Sequence, residues 1–267
     1  MATQLENILV HTRTEVTERR AGTDLAALER QAAAHQPRGF EAALRSAAAG
    51  GPAVIAELKK ASPSRGLIRA DFEPVRLACS LEEAGATALS VLTDGRFFQG
   101  SLSNLTQASG AVKIPCLRKD FIVDPFQIVE TRAAAADAIL LIVAALSDGE
   151  LRDLYAEAQR LQLDVLCEVH DSREAERALD AGFTVVGVNS RNLHTMQVDR
   201  GVQMELARLL PAGVLKVAES GIRTASDIAE MRDAGYDAFL VGESLMREAD
   251  PAAALAALLG REAARER

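Results

Sequence analysis

The stretch Glu83-Ala84-Gly85-Ala86-Thr87-Ala88-Leu89-Ser90-Val91-Leu92-Thr93-Asp94 holds the unit from which most of the chain is built. A helix ends at Ala84, and Gly85 supplies the left-handed turn that lets the backbone reverse. An apolar strand follows, Ala88–Leu92, and it ends in two polar residues. The helix-end slot recurs as Asp180-Ala181-Gly182-Phe183 and Asp233-Ala234-Gly235-Tyr236. It recurs once more as Ala134-Ala135-Ala136-Asp137, with Ala136 in place of the glycine. The slots lie roughly 50 residues apart and always precede an even-numbered strand, as paired strand–helix modules would.

Outward from this unit, short β-branched runs alternate with Ala-rich helical stretches. The predicted strands are Val54–Leu58, Ala88–Leu92, Ile114–Leu117, Ala138–Ile142, Asp164–Val169, Thr184–Val188, Leu215–Ala218 and Ala238–Val241. Their starts recur roughly every 26 residues, room for a strand, a covering helix and two short loops. Several are apolar at nearly every position, the pattern of parallel strands buried on both faces. No strand as a whole reads as a charged or proline-blunted sheet edge. The pattern therefore predicts an α/β fold: a single closed (βα)8 TIM barrel rather than an open sheet. Residues 1–50 fall outside the repeat and read as an N-terminal helical extension laid against the barrel. Residues 51–250 form the barrel and 251–267 a closing helix and tail, all within one domain spanning 1–267.

Composition excludes several classes. The 267 residues carry 30 Lys+Arg against 38 Asp+Glu, a net charge of −8, so the chain lacks the basic excess of a nucleic-acid binder. The chain holds no Trp and only 4% aromatic residues, which also argues against base stacking. The longest apolar run, Ala138 to Leu146, is about half of what spans a bilayer. Met1 to Val10 has no basic n-region, so the expectation is no signal peptide and a cytoplasmic protein. Three cysteines (Cys79, Cys116, Cys167) without a C-x-x-C pair, and four scattered histidines, predict neither a disulfide framework nor a metal site.

In a (βα)8 barrel the chemistry sits at the carboxyl ends of the strands. The first predicted strand ends in Glu57-Leu58-Lys59, where period-2 alternation turns Glu57 and Lys59 to one face. The second ends in Thr93-Asp94, the third in Arg118-Lys119-Asp120, the fifth in Glu168, and the sixth in Asn189-Ser190-Arg191-Asn192. The seventh ends in Glu219-Ser220-Gly221 and the eighth in Gly242-Glu243-Ser244; only the fourth, near Ile142-Val143, carries no charge or amide. Lys and Glu packed in a partly dry mouth can hold displaced pKa values and serve as acid and base. Asn189 fits either a hydrogen bond to substrate or a loop cap. The small residues after the last two strands match the recurrent phosphate cradle of this architecture. Lys60-Ala61-Ser62-Pro63-Ser64-Arg65-Gly66 reads as a long loop, a mobile lid or a plain surface turn. The residues thus predict acid–base chemistry on a phosphorylated small molecule, without metal or cofactor, and do not name the reaction.

Longer stretches carry a resemblance. They are Ile55-Ala56-Glu57-Leu58-Lys59-Lys60-Ala61-Ser62-Pro63-Ser64, Leu89-Ser90-Val91-Leu92-Thr93-Asp94 and Phe97-Phe98-Gln99-Gly100-Ser101. Leu117-Arg118-Lys119-Asp120-Phe121, Asp137-Ala138-Ile139-Leu140-Leu141-Ile142 and Glu168-Val169-His170 follow. The last are Gly187-Val188-Asn189-Ser190-Arg191-Asn192-Leu193, Glu219-Ser220-Gly221-Ile222 and Val241-Gly242-Glu243-Ser244-Leu245-Met246. In order through the whole barrel, they resemble the indole-3-glycerol-phosphate synthases, lyases of tryptophan biosynthesis. Two positions depart mildly: Ser190, where the family often has Asn or Ala, and Ala136, where a Gly is usual.

The resemblance implies ring closure of 1-(2-carboxyphenylamino)-1-deoxyribulose 5-phosphate to indole-3-glycerol phosphate, CO2 and water. It implies Lys119 as general acid at the sugar carbonyl, and Glu57, Lys59 and Glu168 in proton transfer and loss of the hydroxyl. Asn189 and Glu219 would position ring and sugar. Lys59, Ser62, Ser220, Gly221, Gly242 and Glu243 would hold the phosphate, Glu243 through its backbone N–H alone. Arg191 would meet the anthranilate carboxylate, and Phe98, Phe121, Leu140 and Leu193 would line the ring pocket. No cofactor, no nucleic acid and no membrane follow, and the expected state is a monomer or weak dimer. The isomerase preceding this step shares barrel and cradle but would need a Cys/Asp pair at the strand ends. A catalytically dead barrel serving as a binding scaffold is the reading from a different class.

Overall fold

The computed structural model describes residues 3–191 and 198–261. Eight parallel strands close into a barrel. We number them β1 (Ala53–Leu58), β2 (Ala88–Leu92), β3 (Cys116–Lys119), β4 (Ala138–Ile142), β5 (Asp164–Val169), β6 (Val185–Asn189), β7 (Leu215–Glu219) and β8 (Ala238–Val241). Each pairs with its sequence neighbours, and β1 closes the ring against β8 through Ala53↔Ala238 to Ala56↔Val241. The predicted α/β barrel is the observed fold.

Strand alternation sorts the side chains into two cores. Ile55, Ala88, Leu117, Leu140, Leu166, Val217 and Leu240 point into the barrel. Val54, Leu89, Ile139, Cys167, Val188 and Phe239 point outward under the helices. Three helices precede β1: α1 (Gln4–Ala21), α2 (Leu25–Ala34) and α3 (Phe40–Gly50). Phe40 and Leu44 of α3 are fully buried within the inner cluster, among Ala53, Ala88, Ala138 and Ala238 at the strands' amino ends. Small alanines there leave the space that Phe40 and Leu44 fill, each burial contributing about 1.5–3 kcal/mol. The barrel floor is thereby sealed. At the other end the inward phase continues past the apolar layers into Glu57, Lys119, Glu168, Asn189 and Glu219, so the polar set is raised on rigid strands.

Four strands, β2, β4, β5 and β8, have the predicted bounds; β1 begins one residue earlier and β7 ends one later. The third strand is displaced to Cys116–Lys119 because Pro115 has no N–H to donate to a ladder. The Ile114 N–H turns to the Glu82 carboxylate (3.0 Å) instead. Arg118 and Lys119 are thus strand residues. β6 starts one residue late, the Thr184 hydroxyl donating to Glu41 (2.8 Å). In the alanine slot Ala135, not Ala136, takes the left-handed conformation (φ 61°), as Gly85 (103°), Gly182 (85°) and Gly235 (102°) do. A residue with a Cβ held there costs roughly 1–2 kcal/mol. The predicted long loop after β1 is a small hairpin, Ala61–Ser62 pairing with Gly66–Leu67. Among the described residues, no helix is long and apolar enough to cross a membrane.

Candidate active site

The end of β3 brings Lys119 inward, its Nζ 2.8 Å from Glu168 Oε2 on β5 and 3.6 Å from Glu219 Oε2 on β7. At the end of β1, Lys59 Nζ lies 2.5 Å from Glu57 Oε1, and the Ser90 hydroxyl donates to Glu57 Oε2 (3.4 Å). Asn189 donates from Nδ2 to Glu168 Oε1 (3.2 Å). Its Oδ1 accepts from the Ser220 hydroxyl (2.9 Å) and the Arg191 backbone N–H (3.0 Å). Of the two roles left open for Asn189 the loop cap is the one seen, and the same side chain also holds Glu168.

Two close approaches make room for this cluster. A Cβ on Gly187 would strike the Glu219 carboxylate, and one on Gly242 would strike Glu57. Glycine at these inward positions lets long acidic side chains reach the axis.

Three carboxyls and two ammonium groups in so dry a space cannot all keep their ordinary pKa. Burial alone would lower Lys119, but the charges of Glu168, Glu219 and Glu57 outweigh it and hold the ammonium above the usual lysine range. Burial would raise Glu168, yet Lys119 and then His170 reverse this and hold it well below the usual carboxylate range. Glu219 goes the other way, raised by burial and by the neighbouring Glu168 charge. Of the two carboxyls facing Lys119, Glu168 is thus the one favoured as the anion and Glu219 the one more readily protonated.

Beside the charges lies an apolar pocket, lined by Phe98, Phe121 and Leu140 with Ser62, Arg191, Ser220 and Glu243. The Phe98 and Phe121 rings sit 6.4 Å apart, tilted by 40°. Asp94 caps the short helix Gly95–Phe98, accepting from the Phe97 and Phe98 N–H groups (2.6 and 3.2 Å), which sets the ring. Gly221 and Gly242 line the adjoining cavity, where Ser220 (φ 66°) and Gly221 (φ 77°) turn left-handed in succession. The Glu243 carboxylate, given no part by sequence reasoning, stands among Arg65 (3.1 Å), Arg247 (3.5 Å) and Arg191 (3.7 Å). Leu193 lies outside the described residues.

Sequence reasoning missed the wall built by Gln4, Leu5 and Ile8 of α1, which line the same pocket. Their apolar spacing showed a helix laid on the barrel but not on which part. It also missed His170, whose ring lies 3.3 Å from Glu168. Cys116 and Cys167, the cysteines that precede the polar strand ends, point outward into the helical layer. Burial pushes the Cys116 thiol up to about 12 and Cys167 well above its usual value, so neither reaches the mouth as an acid–base group.

Comparison with known proteins fits this geometry. The family model of indole-3-glycerol phosphate synthase matches residues 5–258. The chain is 58% identical to the indole-3-glycerol phosphate synthase of Koribacter versatilis (strain Ellin345), over 97% of this chain and 100% of that one. It is 50% identical to that of Rhodospirillum rubrum over 97% of this chain and 100% of the relative. Among solved structures, the N-acetylmannosamine-6-phosphate 2-epimerase of Clostridium perfringens superimposes with a TM-score of 0.58 at 14% identity. That match covers 72% of this chain and 86% of the epimerase, a likeness of fold alone.

Proposed function

The chain belongs to the indole-3-glycerol phosphate synthase family, and from that premise we propose which residues carry its reaction. It is a carboxy-lyase of tryptophan biosynthesis that converts 1-(2-carboxyphenylamino)-1-deoxyribulose 5-phosphate to indole-3-glycerol phosphate, CO2 and water. A ring carbon attacks the sugar carbonyl, the carboxylate leaves as CO2, and the hydroxyl departs as water.

The observation that carries the assignment is Lys119 held charged between an anionic Glu168 and a raised Glu219. Charge develops on the carbonyl oxygen during attack, and a fixed ammonium aimed there stabilises it and then protonates it. Loss of CO2 restores the aromatic ring, and Glu168 accepts the proton given up from the sugar carbon beside the nitrogen as the hydroxyl departs and the five-membered ring becomes aromatic. Glu57 and Lys59, paired across the mouth, assist departure of the hydroxyl, while Glu219 and Asn189 hold the reacting groups in line. Phe98, Phe121, Leu140 and Leu193 receive the anthranilate ring and Arg191 its carboxylate. Ser62, Lys59, Ser220, Gly221, Gly242 and the Glu243 N–H receive the phosphate.

The same reading extends to a cytoplasmic enzyme acting as a monomer or weak dimer, supported by three free cysteines and by large exposed apolar residues scattered from Val10 to Leu209. The test of the site is the indole fluorescence that appears when purified protein meets the substrate, compared among the parent, Lys119→Ala and Glu168→Gln. The parent is expected to give signal and both variants to lose most of it. Turnover at the parent rate by either variant would overturn the role given to that residue.

A further inference from the structure

Glu168 is touched by a residue that the proposed mechanism leaves unused. His170 follows it by two positions at the end of β5, on the same inward phase and mostly buried. Its Nε2 lies 3.3 Å from Glu168 Oε1, and its Nδ1 lies 3.0 Å from Glu174 Oε2. Glu174 also accepts the His170 backbone N–H (2.8 Å), so it grips both the ring and the main chain. Glu174 is itself fixed in the first turn of the helix Ser172–Asp180, where the Asp171 side chain accepts its N–H (2.8 Å).

The Nδ1 contact is a hydrogen bond, while Nε2 faces Glu168 as a charge contact without hydrogen-bond geometry; a carboxylate beside each nitrogen favours the doubly protonated, cationic ring. Burial works against that charge, but the two carboxylates prevail and raise His170 to about 10. The groups facing it are Glu168 on its own strand and Glu174 on the covering helix; Lys119 and Glu219 lie one contact further, across Glu168. Arg177 of that helix turns away, to Asp148 and the Val143 and Leu146 carbonyls.

The consequence falls on the Glu168–Glu219 pair. Two buried carboxyls competing for one proton would exchange roles unless something distinguishes them. Lys119 reaches both. Of the two carboxyls, Asn189 and His170 contact only Glu168 among the described residues, and only His170 brings a charge. We propose that His170, clamped by Glu174, is a positioning residue that fixes the Glu168 carboxylate toward Lys119 and selects Glu168 over Glu219 as proton acceptor. The proposal rests on the reading of Glu168 as acceptor.

Steady-state kinetics across pH on the full-length protein test it, with His170→Ala, Glu174→Gln and Glu168→Gln. His170→Ala is expected to lower kcat about 10–100-fold with KM within about threefold of the parent. Removing a cation beside a carboxylate makes it harder to ionise, so the acid limb of the kcat profile moves up by about one pH unit. Glu174→Gln, which loosens the clamp but keeps the ring, shifts kcat and the limb in the same direction by less. A parent-like acid limb in His170→Ala overturns the proposal, even if its melting temperature falls, because that result marks a merely structural histidine. Should His170→Ala fail to fold, Glu174→Gln decides by the same limb. Parent-like turnover in Glu168→Gln would instead sink the acceptor reading itself, an outcome distinct from failure at His170.

Discussion

Both ends of the barrel bury charge, and they treat it in opposite ways. At the floor, Asp137 just before β4 is fully buried and saturated. It accepts from the Arg38 backbone N–H (2.8 Å), from Arg38 Nη2 (2.6 Å) and from the Cys116 N–H (2.6 Å), with His35 Nε2 at 3.1 Å. Arg38 sends its remaining donors to Ser109 and to the Val112 carbonyl (3.0 Å). At the mouth, Glu219 is nearly as buried, yet its Oε1 has no hydrogen-bond partner among the described residues, and its Oε2 shares a lysine at 3.6 Å with Glu168. A saturated buried charge ties the N-terminal helices to the barrel. An under-satisfied one is held ready for a ligand at the expense of stability. The difference separates a structural network from a reactive one when composition cannot.

If that division holds, variants at the two ends should fail differently. Lys119→Ala should lower kcat by about 10²–10⁴, or roughly 3–5 kcal/mol of barrier, while the thermal melt stays near the parent's. A collapse of the fold in this variant would show that the mouth, too, is a structural network. Asp137→Ala leaves Arg38 buried without its partner and should cost about 3–5 kcal/mol of folding stability. Its kcat per folded molecule, measured well below the melting transition, should match the parent. A large loss of kcat there would break the comparison from the other side.

How far the sequence foresaw these two ends follows from the same physics. Period-2 alternation placed Glu57 and Lys59 on one face, and β5 and β7 were apolar enough to identify Glu168 and Glu219 as strand ends. The register of β3 slipped by two because the missing N–H of Pro115 weighs more than the β-branched character of Ile114. The run Ala133 to Ala136 offers no side chain to mark its turn, so Ala135 could not be singled out as the left-handed residue. The floor network was invisible because Arg38 and Asp137 lie far apart in sequence and each looks like an ordinary turn residue. His170 stands in the stretch Glu168-Val169-His170, but its meaning depends on Glu174 folding back from the next helix, which spacing does not reveal. Pairwise contacts between elements, rather than the elements themselves, were what the sequence concealed.

The sharpest small test exchanges charge for neutrality at the mouth without changing shape. Glu219 keeps its proton in the folded state, since burial and the Glu168 charge raise its pKa, whereas in the unfolded chain it ionises above about 4.3. A raised carboxyl contributes stability only at low pH; near neutrality its retained proton is a net cost of folding. Glu219→Gln removes that cost, because the amide is neutral in both states. The variant should therefore melt higher than the parent at pH 7, by about 2–4 °C for each ~1 kcal/mol recovered. The gap should close as the pH falls toward 4, where the unfolded carboxyl is protonated as well. Its kcat should drop even as its stability rises, the exchange expected where a site holds an unfavourable group for function. A neutral substitution at Asp137 should do the reverse, lowering the melt and leaving kcat alone. Were Glu219→Gln to melt lower at pH 7, Glu219 would be a structural anion like Asp137, and the two ends of the barrel would differ only in position.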